Sequence, residues 1–293
     1  MKFFSATFFY ACLLSSTLPG QENPQKGGTD RNRERGGAIP VIVPAGTKAK
    51  AQSQPPLQLG NSRSNPPTTT PSRDEPRIIS TRANPLFLTD RIIADIDGIP
   101  VRTSELNQLV AYYQTFRPGS EGVLLRDAFN ALVPLKAMQA ACSPDIAAME
   151  TRCREAMEKL QGKGKFEDVV AHYSDDSEAP TADGRYTFGR EVAVQPFDRL
   201  AHSGPINQLH GPFLTKYGYH LLQVVGYKQG EQPKEDKTEV RHVLIMFPAL
   251  KALPESEVRP WIAEKVATCS IRLLEPGFFG MVPPGLRANL VAD

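Results

Sequence analysis

Two histidines in strand-like segments are the side chains of this sequence best placed to do chemistry. His220 lies in YHLLQV and His242 lies in RHVLIMF, segments rich in β-branched and other apolar residues. Because side chains alternate between the faces of a strand, each histidine shares a face with a leucine two positions on, Leu222 and Leu244. A histidine on such a face is usually a hydrogen-bonded core residue, but two strands close in sequence could pair two imidazoles.

An antiparallel hairpin would bring the two histidines together. If they lie directly opposite one another, Gly226 faces Asp236 and residues 227–235 form the connection. Gly230 and Pro233 suit such a connection because both residues favour turns.

Other catalytic motifs are absent from the sequence. It lacks GxSxG, HExxH, the P-loop pattern and GxGxxG, and no cysteines have CxxC spacing. We therefore expect no metal and no cofactor. The remaining histidines, His172, His202 and His210, are interpreted as surface or structural residues.

Apolar periodicity predicts the elements that would position the histidine pair. A hairpin is expected over 91–96 and 99–101, turning at Asp97-Gly98, and Thr103 or Ser104 is expected to cap the helix that follows it. The further predicted helices cover 121–140, 144–162, 166–173, 196–202 and 255–267, and the further predicted strands cover 219–226, 239–247 and 270–274.

The N-terminus predicts export. Lys2 precedes an apolar run of about a dozen residues, which fits a signal peptide and is shorter than the ~20 residues of a membrane span. We predict a signal peptide over 1–20 and a periplasmic or extracellular location. Cys12 leaves open a lipid anchor, so membrane proximity is expected only through the N-terminus.

Residues 21–84 have the composition of a disordered linker. They contain nine prolines and carry a net charge of +5 from ten basic and five acidic residues. The rest of the mature chain is mildly acidic, which argues against nucleic acid as a partner.

The cysteines leave two readings open. Cys142 and Cys153 flank a short turn and could form a disulfide, or both could be buried free thiols. The sequence does not decide between them.

An ordered series of motifs carries a resemblance to a known family. The segments FEDVVAHYSDDSEAP, YTFGR, QPFDRLA and GPFLTKYGYHLLQV, about 60 residues from Phe166 onward, resemble a parvulin-type (PpiC-like) peptidyl-prolyl cis/trans isomerase. The earlier segments IIADIDGIPVRTSELNQL and RDAFNALVPLKAMQAA are similar to the N-terminal chaperone region of exported SurA-like foldases.

The order of the motifs departs from the family in one respect. A parvulin begins with an Arg-x-x-His-Ile-Leu-Val strand, which is missing at 125–145 and matched instead by EVRHVLIMF at 239–247. Either a second domain starts there or the single domain is permuted. Because 248–293 is too short for the rest of a second domain, we favour permutation.

The resemblance implies an α+β protein with a small antiparallel sheet flanked by helices and a histidine strand supplied from the C-terminal side. A SurA-like helical region (85–143) would precede the parvulin-like domain (144–248), and a helix and strand extension (249–293) would follow it.

The resemblance also implies the site residues. The expected catalytic residues are His220, His242, Asp176 and Thr215. The expected substrate-binding residues are Phe197, Phe188, Ala193, Arg185 and Tyr217. Arg185 stands where the family usually has an apolar pocket residue, and Ala193 stands where a Met or a similar large apolar group is common.

The function implied is prolyl isomerisation in unfolded or extended proline-containing polypeptides. The alternative is a chaperone or scaffold with a catalytically degenerate parvulin fold, since binding survives the loss of pocket groups better than catalysis does.

Overall fold

The computed structural model of the protein describes residues 86–292. The predicted signal peptide (1–20) and linker (21–84) lie outside the described residues. The helices are α1 (Thr103–Gln114), α2 (Glu121–Ala141), α3 (Ile146–Gln161), α4 (Phe166–Tyr173), α5 (Phe197–Ser203), α6 (Pro248–Lys251) and α7 (Glu255–Thr268). The strands are β1 (Ile92–Ile96), β2 (Ile99–Arg102), β3 (Arg185–Gly189), β4 (Leu209–Thr215), β5 (Gly218–Lys228), β6 (Lys237–Met246), β7 (Ile271–Leu273) and β8 (Leu290–Val291).

The first sheet joins the two ends of the described chain. Its order is β2-β1-β7-β8, so strands from the C-terminal segment continue the N-terminal hairpin. The hairpin turns at Asp97 and Gly98, whose φ angles of 48° and 83° suit the predicted Asp-Gly turn. The apolar stripe of α1 is buried against this sheet and α2.

The second sheet carries the histidines. Its order is β3-β6-β5-β4, with every neighbouring pair antiparallel. Strand β6 follows β5 in the chain and lies between β5 and β3. The prediction of a small antiparallel sheet with its histidine strand supplied from the C-terminal side is confirmed, and β6 belongs to this sheet rather than to a second domain.

The predicted pairing of the two histidines was wrong by two residues. His242 lies opposite Leu222, and His220 lies opposite Leu244. The strands run further than expected, to Lys228 and Lys237, and a bulge between Val224 and Gly226 adds a residue to β5. Because a shift of two residues preserves the face, the histidines remain on one side of the sheet as diagonal neighbours.

Each face of this sheet packs against its own set of helices. One face, with Leu221, Val243 and Ile245, is covered by residues of α3 and α4. The other face, with Leu222, Val240 and Phe188, is covered by residues of α5. The histidines belong to this second face.

The cysteines of the described chain are free. Cys142, Cys153 and Cys269 are all buried and form no disulfide, so the free-thiol reading holds for Cys142 and Cys153. Across residues 86–292, no helix is long and apolar enough to cross a membrane.

Candidate functional site

Four side chains form a polar line across the second sheet. Thr215 Oγ1 lies 2.8 Å from His220 Nε2. The two imidazoles are nearly parallel, with ring centroids 5.7 Å apart and planes at 18°. His242 Nε2 lies 3.0 Å from Asp176 Oδ2. The structure therefore brings together all four predicted catalytic residues.

Aromatic rings cover the imidazoles. Phe197, at the start of α5, meets both histidines edge to face, with centroids 5.2 Å from each ring. Phe213 stacks on His220 at 5.6 Å and 13°. The histidines are buried as a result, with exposed fractions of 4% and 3% for His220 and His242. The polar line thus lies in a largely apolar setting.

Hydrogen bonds between β6 and the loop after α4 fix the position of Asp176. Strand β3 pairs only with the first half of β6, leaving the second half to bond this loop. The amide of Asp175 donates to the carbonyl of Leu244 at 2.7 Å, and the amide of Met246 donates to the Asp175 carboxylate at 3.1 Å. Ser174 Oγ accepts from the Leu244 amide at 3.2 Å. These bonds hold Asp176 beside the histidine strand.

The protonation states of the line follow from burial and hydrogen bonding. Burial and the neighbouring imidazole of His242 lower the pKa of His220 well below its usual value, so its ring is neutral. Burial acts to raise the pKa of Asp176, but hydrogen bonds from His242 and Tyr186 outweigh it and leave that pKa lowered. An ionised carboxylate only accepts, so His242 carries its proton on Nε2 and donates it to Asp176.

The predicted substrate-binding residues fall into two groups. Phe188 packs against Phe197, with centroids 6.0 Å apart, and Ala193 is half-buried beside the same cluster. Arg185 lies on the face of β3 that points away from α5. Its guanidinium binds Asp183 and Glu239. Tyr217 packs in the core under α3 and α4. The Tyr217 amide donates to Thr215 Oγ1 at 3.1 Å, so this residue meets the histidine line through its backbone while its ring packs in the core. The structure does not bring the Arg185 side chain to the line.

Sequence reasoning missed two aromatic contacts of the line. The Tyr186 hydroxyl donates to Asp176 Oδ2 at 2.9 Å, and its ring lies 5.2 Å from that of His242. Period-two alternation already placed Tyr186 on the same face as Phe188, which is the signal that could have found it. The stacking of Phe213 on His220 had no such signal, since it depends on how β4 pairs with β5.

A second buried polar cluster lies next to Phe197, between α5 and α1. Asp198, the residue after Phe197, accepts from the Tyr112 hydroxyl of α1 at 2.6 Å and from the Glu191 amide at 3.1 Å. Burial raises the pKa of Asp198 to about 7. His202 Nε2 lies 4.0 Å from Oδ1, the other carboxylate oxygen of Asp198. Burial lowers the pKa of His202 to about 3. This cluster joins α1 to the helix that carries Phe197.

No group of three or more His, Cys, Asp or Glu side chains in residues 86–292 is arranged to hold a metal ion. The polar line itself supplies one hydroxyl, two imidazoles and one carboxylate, hydrogen-bonded as Thr215 with His220 and His242 with Asp176, with the two imidazole rings stacked between these pairs. It can orient rings and hold charge next to a bound group.

Comparison with known proteins agrees with this geometry. Residues 132–226 match the family model described as Rotamase: PPIC-type PPIASE domain. The match starts within α2 and ends within β5, so it stops before β6 and His242. The strand that completes the sheet therefore lies outside the matched segment.

Curated relatives are similar to parts of the chain. Chaperone SurA of Shewanella sp. (strain MR-7) is 24% identical over 148 residues, 48% of this chain and 33% of that protein. Chaperone SurA of Bordetella pertussis is 29% identical over 106 residues, 36% of this chain and 20% of that protein. Foldase protein PrsA 4 of Bacillus cereus is 27% identical over 96 residues, 32% of this chain and 34% of that protein. The chain spans about a third or less of the length of these relatives. Together the matches confirm the resemblance to parvulin-type isomerases with SurA-like character.

Proposed function

We propose that this parvulin-type, SurA-like chain is a peptidyl-prolyl cis/trans isomerase that acts on unfolded or extended polypeptides. The observation that carries the proposal is the line from Thr215 through His220 and His242 to Asp176, covered by Phe197. In the proposal these four polar residues are catalytic. Phe197, Phe188 and Ala193 form the prolyl pocket, Tyr217 supports Thr215 through its backbone amide, and Arg185 lies outside the pocket.

Prolyl isomerisation requires little covalent chemistry from the protein. Rotation about an X-Pro bond faces a barrier of about 18 to 20 kcal/mol because amide resonance is lost midway. A pocket that binds the twisted amide better than either planar isomer lowers this barrier. Aromatic walls that exclude water favour the twisted amide, since its carbonyl has less charge separation than the planar form.

The histidine line supplies a fixed polar environment in that pocket. Asp176 holds the proton of His242 on Nε2, and Thr215 fixes the ring of His220. Groups already oriented need no reorganisation when the amide twists, which is the source of their catalytic effect. Because the ring of His220 is neutral, the mechanism needs no proton transfer from it.

The clients and location are part of the proposal. The relatives named chaperone and foldase support binding of unfolded polypeptide. The predicted signal peptide supports export to a periplasmic or extracellular compartment, where such clients would emerge. The proposal requires no cofactor.

A proline-limited refolding assay with the full mature chain tests the isomerase. The uncatalysed step takes tens to hundreds of seconds, so even a modest catalyst is measurable. We expect the wild type to accelerate refolding and Asp176→Asn to reduce the acceleration at least about tenfold, equivalent to about 1.4 kcal/mol of barrier. Asp168→Asn, which alters an exposed carboxylate of α4, should retain full activity.

Circular dichroism checks that every variant is folded. The double variant His220→Ala, His242→Ala removes both imidazoles and is a second, independent test of the histidine line. A folded wild type that fails to accelerate refolding rejects the isomerase. If it still suppresses client aggregation, the alternative of a degenerate parvulin-fold chaperone replaces it. The small side chain of Ala193 beside the pocket is the observation that favours this alternative.

A further inference from the structure

A pocket lies on the face of the second sheet opposite the histidines. It has a volume of about 220 Å³ and opens between the end of α3, the start of α4 and strands β4 to β6. Leu160, Phe166 and Leu209 supply apolar walls, and Gln223 and Arg241 supply polar ones. Ligand pockets usually measure about 300 to 1,000 Å³, so this one suits a single side chain or chain terminus.

Arg241 is held in one orientation within this pocket. Its guanidinium carbon lies 4.5 Å from the ring centroid of Phe166. Its Nε donates to Gln223 Oε1 at 2.7 Å, and Gln223 Nε2 in turn donates to the carbonyl of Asn207 at 2.8 Å. Stacking and the Nε bond fix the plane of the guanidinium and leave its two terminal nitrogens for another partner.

Those terminal nitrogens have no partner within residues 86–292. No carboxylate in that range lies within 4.0 Å of the Arg241 guanidinium, and no acceptor other than Gln223 bonds it. Asp183 is close enough for the charge of Arg241 to lower its pKa, but its oxygens bond Thr181 and Arg185. The arginine therefore presents an oriented pair of donors to the pocket.

A carboxylate is the ligand that fits this arrangement. The planar fork of arginine matches the two oxygens of a carboxylate and binds them in a bidentate manner, which is stronger than a neutral hydrogen bond. Lys163 and Lys165, both exposed on either side of Gly164 at the rim, add positive charge that favours an anion.

We propose that this pocket is a subsite for a carboxylate attached to an apolar group, bound by Arg241 with the apolar part against Phe166 and Leu209. In a polypeptide, the carboxylate comes either from the C-terminus of a chain with an apolar last residue or from an acidic side chain. The subsite is separate from the histidine line, since it lies on the other face of the sheet.

Titration of the full mature chain with small probes, followed by NMR of the Arg241 Nε–H resonance, tests the subsite. N-acetylleucine stands for a chain terminus, N-acetylglutamic acid α-amide stands for an acidic side chain, and N-acetylleucinamide lacks the carboxylate. We expect saturable shifts with at least one of the two acids and none with the amide. The acid that binds more tightly identifies the source.

Variants separate the subsite from general charge effects. Arg241→Gln should weaken binding of the acid at least tenfold, measured by calorimetry, and Arg241→Lys should weaken it less because the charge remains without the fork. Lys237→Gln removes an exposed cation from the same strand and should leave binding unchanged. Absence of saturable binding by both acids, or equal binding by the wild type and Arg241→Gln, overturns the proposal whatever the isomerase assay shows.

Discussion

Replacing Tyr112 by phenylalanine tests whether the helical region is bonded to the helix that carries Phe197. The hydroxyl of Tyr112 donates to Asp198 at 2.6 Å, and both side chains are buried. A hydrogen bond to a charged group contributes about 1.5 to 3 kcal/mol, whereas one to a neutral group contributes about 0.5 to 1.5 kcal/mol. Tyr112→Phe removes this bond and leaves the rest of the ring in place.

The size of the loss depends on pH because Asp198 titrates near neutrality. Its pKa is raised to about 7 in the folded protein, so this group contributes stability below its ordinary pKa that is lost as pH rises through about 7. The Tyr112 hydroxyl opposes this rise in pKa, so its removal raises the pKa further. We therefore expect Tyr112→Phe to cost about 2 to 3 kcal/mol at pH 8 and about 1 kcal/mol at pH 5.

Urea unfolding at the two pH values measures the effect, with the fluorescence of Trp261, the single tryptophan, as the probe. A loss of about 2 kcal/mol lowers the midpoint by about 1 M if the urea dependence is about 2 kcal/mol per M. Tyr113→Phe is the matched control, because this neighbouring buried tyrosine makes no hydroxyl hydrogen bond within residues 86–292. Equal midpoints for the two variants, or a larger loss at pH 5, would refute the reasoning.

Three further predictions concern the histidine sheet and the thiols. Burial and the adjacent imidazole depress the pKa of His220, so its ring signals in NMR spectra should not titrate between pH 5 and 8; a midpoint near 6.5 would contradict this. Gly218→Ala should lower stability by more than about 2 kcal/mol, because φ is 145° and a Cβ would lie 2.1 Å from the carbonyl oxygen of Ile245. Gly226→Ala, where a Cβ meets nothing within 4 Å, is its control and should cost less than about 1 kcal/mol in thermal unfolding. Burial raises the pKa of Cys153 to about 12, so iodoacetamide at pH 8 should leave it unmodified in the folded chain; its rapid alkylation, detected by mass spectrometry, would show that the site opens.

Local elements were predictable because neighbouring residues determine them. The helix predicted over 166–173 has those bounds in the structure, and the Asp97-Gly98 turn forms where expected. The helix depends on the spacing of side chains a few residues apart, and the turn depends on the φ preferences of two residues, so both are local properties of the sequence.

Pairing between strands was less predictable than the face on which each side chain lies. Alternation placed His220 and His242 on one face, and the structure agrees. It did not place them opposite one another, because Gly226 pairs with Glu239 rather than Asp236, a shift of three, and the bulge near Val224 reduces this shift to two at the histidines. Thr238 is buried and donates to the carbonyl of Ala201, a tertiary contact that helps hold the longer strand.

The amino-acid sequence by itself determined the order of the motifs, the faces of the strands and the resemblance to parvulins, since each depends on residue types at short spacing. Only the tertiary structure decided which distant groups meet. The bond of Tyr112 to Asp198, the ion pair of Arg185 with Glu239 and the bond of Arg241 Nε to Gln223 each join residues at least 18 positions apart. Such contacts depend on how sheets and helices pack in three dimensions, where burial decides which polar groups must find partners.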